Sequence, residues 1–160
     1  SPSEALLALQ STPIPVLQVN LNMLDVRAVT CGLMQAVEAQ GVGLIARTPL
    51  CFGFLSGALR EDTVFPPGDH RAGWSAAQIR TWIEGARDVL AAADASVGTP
   101  TQTALRFCLS FPQVSAVIPG MLTPGEADEN AEASALGTLP PAALDAVLAI
   151  HRSRQFFVRA

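Results

Sequence analysis

A chain of 160 residues, 49% hydrophobic and 15% charged, has enough apolar material for one domain with a substantial core and does not read as disordered. Mean hydropathy is high at +0.34, yet no run approaches the roughly 18 consecutive apolar residues of a membrane span, so the surplus apolar surface is expected to face protein, its own core or a partner. A net charge of -4 and a pI near 5.0 give no electrostatic footprint for nucleic acid or an anionic membrane.

In chain order, Ser3 and Glu4 predict a short helix to about Gln10, broken by "STPIP". Val16 to Asn22, "VLQVNLN", is a β-rich run ending in polar residues. The segment "VRAVTCGLMQAVEAQG" carries apolar residues at Val29, Leu33, Met34 and Val37, a helical stripe stopped by Gly41. "VGLIARTPL" is a second strand, apolar on both faces and closed by Pro49, as in parallel sheets covered by helices. Cys51 to Gly73, rich in Gly, Pro and Asp, reads as a loop. Helices are expected over about Ser75 to Ala95 and Thr99 to Leu109, the latter with Pro100 at a favourable first position. Val114 to Ile118 is a third strand, Thr123 to Ser134 a helix, and Pro140 to Arg152 a last amphipathic helix.

Alternating strands and helices argue for βαβ units in an α/β fold. Three parallel strands alone leave two open edges. A βαβαβα segment of this kind is the expected last part of a (β/α)8 barrel, three parallel strands with flanking helices. A complete barrel needs about 250 residues, so residues 1–160 are expected to form a single partial barrel domain whose amino-terminal strands lie outside the sequence.

Cys31, Cys51 and Cys108 are odd in number and widely spaced, with no C-x-x-C pair, so neither a disulfide framework nor a zinc site is suggested. That fits a reducing, cytoplasmic setting, and "SPSEALLALQ" lacks the basic and apolar pattern of a signal peptide. Cys51 reads as small buried filler, and Met23, Met34 and Met121 as gap-filling. His70 reads as loop packing beside Asp69 and Arg71, and His151 as a helix C-terminus. Trp74 and Trp82, eight positions apart, fall on one face if a single helix holds both. There is no Tyr, and all ten basic residues are Arg, so phenol and primary-amine side-chain chemistry is excluded from this polypeptide.

Two stretches have the character of anion sites. In "RTPLCFGFLSG", Gly53 and Gly57 follow a strand and let backbone amides approach a ligand closely. In "VSAVIPGMLTPGEADEN", a strand and Pro119-Gly120 lead to Thr123 as N-cap and Pro124 as first helical residue, a helix start that favours phosphate.

Together with "VLQVNLNMLD" and "FPPGDHR", these stretches resemble, in order and spacing, the successive signatures of the aldo-keto reductases, over nearly the whole chain. The resemblance implies strands six to eight of a barrel that uses a nicotinamide cofactor, usually NADPH, to reduce aldehydes or ketones. It implies that Gln18 bonds the nicotinamide carboxamide and that Arg47 stands where many members place an aromatic ring on the nicotinamide face. Pro49, Leu50, Gly53 and Leu55 match the loop around the pyrophosphate, Gly120 and Thr123 the turn near the adenosine phosphate, and Glu129 with Asn130 the pair that reads adenine. Where many members carry Lys, Arg or Gln near the 2′-phosphate, this chain has Gly120, Leu122 and Glu126, which opens NADH as an alternative to NADPH.

The family's proton donor is a Tyr tuned by Lys and Asp beside an orienting His, all upstream in the barrel. With no Tyr and no Lys the tetrad is not here, so the expected role is the carboxyl-terminal cofactor-binding portion of a reductase, completed by a missing amino-terminal portion. The alternative is a non-catalytic oligomerising or partner-binding module built on the same fold. A nicotinamide sensor is a third reading, by analogy of fold alone.

Overall fold

The computed structural model describes residues 1–94 and 98–157. Three strands, β1 (Val16–Asn20), β2 (Gly43–Arg47) and β3 (Val114–Ile118), form one parallel sheet in the order β1-β2-β3. Seven helices surround it among the described residues: α1 (Pro2–Ser11), α2 (Arg27–Thr30), α3 (Leu33–Gln40), α4 (Ala76–Ala92), α5 (Pro100–Leu109), α6 (Pro124–Leu136) and α7 (Pro141–Ile150). Register pairs Gln18 with Ile45 and Asn20 with Arg47, then slips between Leu44 and Ile45 so that Ile45 meets Ala116 and Arg47 meets Ile118.

One sheet face is the core. Val19, Leu44 and Ala46 are buried there with Phe107 and Cys108 of α5 and Leu33 and Val37 of α3. On the other face Gln18, Arg47 and Ala116 are exposed, and Val16 and Ile118 keep 50% and 45% of their surface in solvent. A sheet face left this open is unusual for parallel strands.

Local chemistry sets the helix ends. Ser1, Thr99 and Thr123 each close a reciprocal capping box, with Glu4, Gln102 and Glu126. The first cap is Ser1 rather than Ser3, because Pro2 takes the first helical position. The expected single helix from Val26 to Gln40 is two, since Gly32 adopts φ +88° and turns the chain between α2 and α3. The strand expected to reach Asn22 stops at Asn20, because Asn22 and Asp25 exchange backbone hydrogen bonds in a tight turn. The helix start at Ser75 holds, with Ser75 as N-cap, but α4 ends at Ala92; the expected end at Ala95 lies outside the described residues.

The loop from Cys51 to Gly73 contains two 3-10 turns, Cys51–Ser56 and His70–Gly73. Trp74 precedes α4, so no helix holds both tryptophans; their rings still meet edge to face at 4.8 Å. Phe52 and Phe54 join them, which packs the loop against α4. His70, with 66% of its side chain exposed, sits at the rim against Phe52 and Trp74. Met23 and Met34 are buried as expected, whereas Met121 is 49% exposed and fills no gap. No single helix among the described residues is long and apolar enough to cross a membrane.

Candidate functional site

The residues singled out in the sequence gather at the carboxyl ends of the strands, in three places. The first is the open sheet face. Gln18, Asn20 and Arg47 line one cavity of about 340 Å³ beside α1, with Arg27 at its edge. Gln18 brings a donor and an acceptor on one amide, the complement of another primary amide, and Arg47 a planar cation able to stack or to bind an anion. The strand ends are tied together: the Thr48 hydroxyl donates to Asn20 Oδ1 at 3.0 Å, and Asn22 Nδ2 donates to the Thr48 carbonyl at 3.0 Å. Asn20, Asn22 and Thr48 were not singled out in the sequence, although the polar end of "VLQVNLN" marks two of them.

The second is the turn after β2. Thr48, Cys51 and Phe52 have φ of +53°, +45° and +58°, and Gly53 +94°. Four left-handed residues within six positions store strain of the kind found at functional sites; the N–H groups of Cys51, Gly53 and Leu55 donate to the Thr48 and Leu50 carbonyls and hold the turn in this shape. Pro49 and Leu55 are buried and Leu50 half-buried, so these residues can serve a ligand only through backbone. Leu55 is fully enclosed in the core and anchors the turn. Cys51 is 1% exposed and burial pushes its thiol up to about 12, which makes it inert filler. Arg71 secures the turn from outside: its Nη1 donates to the Phe52 carbonyl at 3.2 Å while Asp69 holds the same guanidinium.

The third is the start of α6. Gly120 is open on the side where a Cβ would stand. Glu126 Oε2 accepts from the backbone N–H groups of Leu122 and Thr123, and Thr123 Oγ1 accepts from Glu126 N at 3.2 Å. Glu129 Oε1 accepts from the hydroxyl of Thr99, the N-cap of α5. Asn130 is 9% exposed; its Nδ2 donates to the Gly120 carbonyl at 3.4 Å, and its buried Oδ1 has no hydrogen-bond partner. A buried amide oxygen left without a donor costs about 1–3 kcal/mol, and a ligand amine at this turn would relieve that cost.

The remaining titratable groups lie apart. His151 caps α7, and its Nε2 is 2.9 Å from the Met23 carbonyl. A cavity of about 420 Å³ near it is lined by Asp25, Arg27, Arg154 and Phe157, where Arg27 is paired to Asp25. No group of three or more His, Cys, Asp or Glu that could hold a metal occurs among the described residues.

Comparison with known proteins places this fold. The family model described as "Aldo/keto reductase family" matches residues 3–152. Glycerol dehydrogenase AKR11B4 from Gluconobacter oxydans superposes with a TM-score of 0.74 at 22% identity, over 96% of this chain and 48% of that one. The aldo-keto reductase AKR11C1 from Bacillus halodurans, in its apo form, gives 0.66 at 17% identity over 93% and 47%; its holo form gives 0.66 at 17% over 93% and 46%. The chain therefore spans about half the length of the structures it matches, and its three strands with their helices correspond to part of a barrel. No curated protein matches the chain by sequence.

Proposed function

The chain belongs to the aldo/keto reductase family, and from that premise we propose that it is the carboxyl-terminal, cofactor-binding portion of an NAD(P)H-dependent reductase of aldehydes or ketones. Residues 1–160 are read as one partial barrel domain that works with an amino-terminal portion carrying the other strands, in the cytoplasm. The observation that carries this reading is Asn130 Oδ1, buried without a donor beneath the Gly120 turn, on the same strand-end side as the left-handed turn after β2.

When bound, a nicotinamide dinucleotide supplies a hydride to the carbonyl carbon. This chain's own residues bind and orient. Gln18 would hold the carboxamide, and Arg47 would face the nicotinamide ring or a phosphate. The turn from Pro49 to Leu55, in which the amides of Cys51, Gly53 and Leu55 already donate to the Thr48 and Leu50 carbonyls, would meet the pyrophosphate through its remaining backbone N–H groups, and Gly120, Thr123, Glu126, Glu129 and Asn130 would take the adenosine end. The proton for the developing alkoxide comes from outside this chain, which has no Tyr and no Lys. His70 is packed into an aromatic rim and His151 is bonded to the Met23 carbonyl, and neither residue lines the cavity that holds Gln18 and Arg47.

The test is calorimetric titration of the full chain with NADH and NADPH, followed by a carbonyl-reduction assay. Binding of a dinucleotide, weakened by Asn130→Ala, without turnover by the chain alone is the expected result. Turnover by the chain alone would overturn the missing-acid argument. A second reading, a non-catalytic module that docks a partner or a second copy, draws on the exposed Val16 and Ile118 of the sheet face. Native mass spectrometry separates the two: a homo-oligomer that binds neither dinucleotide favours the module.

A further inference from the structure

The start of α6 is already neutralised from within. Thr123 Oγ1 takes Glu126 N, the Glu126 carboxylate takes the N–H groups of Leu122 and Thr123, and Pro124 has no N–H to give. The first-turn donors that make a helix N-terminus attractive to phosphate are thus largely spent on the chain's own anion. No cation on the turn or on α6 restores the attraction: residues 107–150 contain no Lys or Arg, α6 itself carries Glu126, Asp128, Glu129 and Glu132, and Arg47, which pairs in register with Ile118, belongs to the nicotinamide end of the proposed site. Leu122, 95% exposed at the mouth of the turn, offers no charge. The neighbouring Asn130, with its orphaned Oδ1, still calls for a neutral donor such as an exocyclic amine.

We infer that this site accepts an adenosine whose ribose carries free hydroxyls and rejects one bearing a 2′-phosphate, so that the cofactor is NAD(H) rather than NADP(H). The inference rests on the cofactor-binding reading above and deepens it. Glu126 is the discriminating residue. Its Oε2 is committed to the cap, and Oε1, which takes no hydrogen bond among the described residues, accepts from a ribose hydroxyl. A phosphate dianion brought to the same place meets a fixed like charge with no counter-ion on the turn or on α6.

The experiment is calorimetric titration of the full chain with NADH, NADPH and 2′,5′-ADP, the last probing the adenosine end alone. NADH is expected to bind at least about tenfold more tightly than NADPH, a margin in keeping with a charge held at a helix terminus. Glu126→Gln keeps an oxygen for the cap while removing the charge, and should bring the two affinities together and raise that of 2′,5′-ADP. Leu122→Arg, on an exposed side chain where folding is not at stake, should do the same by adding a cation. Equal or tighter binding of NADPH by the unaltered chain, or a ratio unmoved by both substitutions, would overturn the inference while leaving the cofactor-binding reading intact. If none of the three probes binds, that reading fails and the inference falls with it.

Discussion

Phe156 occupies the space that a side chain on Gly85 would need: a Cβ at position 85 would stand 2.6 Å from the Phe156 ring and 3.1 Å from Leu24. This contact, with Gln78 Nε2 donating to the Phe156 carbonyl at 2.7 Å, docks the segment after α7 onto α4. Gly85 sits in mid-helix, where Ala would otherwise be favoured by about 1 kcal/mol. Gly85→Ala is nevertheless expected to destabilise by about 1–3 kcal/mol, the range for overpacking, read from urea unfolding. In a Phe156→Ala background the same substitution should become neutral or stabilising, and additivity would refute the contact as the cause.

Arg106 is the polar clasp of the carboxyl-terminal half. It is 7% exposed on α5, and its Nε and Nη2 donate to the carbonyls of Gly137 and Thr138 at 2.9 and 3.1 Å, in the link between α6 and α7. Arg106→Met keeps much of the buried stem but leaves these carbonyls without their donors, at a cost of about 1–3 kcal/mol. Arg106→Lys should recover only part, because an ammonium does not reproduce the guanidinium's spaced donors. Thermal unfolding of the three proteins checks the order Arg, Lys, Met.

Much of this architecture can be read from local patterns. The third strand lies where an apolar run between breakers puts it, and Thr99-Pro100 and Thr123-Pro124 are helix starts because side-chain capping and proline geometry act within a few residues. What escaped the sequence depends on distant partners. Nothing local says that Gly32 would turn left-handed and split a helix with a continuous apolar stripe, or that Trp74 would stop short of α4 yet meet Trp82. At the site, the residue types pointed to an anion at α6, whereas the rotamer that returns the Glu126 carboxylate to its own cap, and the burial that strands Asn130 Oδ1, appear only in three dimensions.

The turn after β2 is held by a clasp that acid should open. Arg71 bonds Asp69, and this together with the Arg71 backbone N–H lowers the Asp69 carboxyl to about 2 from an ordinary 3.8. A lowered carboxyl pKa contributes stability that is present above about pH 4 and lost as pH falls toward 2. Hydrogen exchange over residues 58–73 is therefore expected to vary little in protection from pH 7 to 4 and to lose protection below. Asp69→Asn should show the acid-state exchange already at pH 7, together with weaker hold on the Phe52 carbonyl.

His151 adds a second acid-side dependence, at higher pH than that of Asp69. Burial lowers its pKa from 6.5, with the Met23 carbonyl and the charge of Asp25 opposing only in part. The unfolded chain thus takes up a proton at a pH where the folded chain still resists it, so stability is complete above pH 6.5 and declines as pH falls through and below that value. Urea midpoints should be level between pH 8 and 7 and fall between 6.5 and 5.5, above the window in which Asp69 titrates. His151→Gln, which retains an amide donor for the Met23 carbonyl, should flatten this decline. His70→Gln, at an exposed rim, should leave it in place. A decline that survives His151→Gln and disappears in His70→Gln would assign the dependence to the loop instead of to the seam between α7 and the turn after β1.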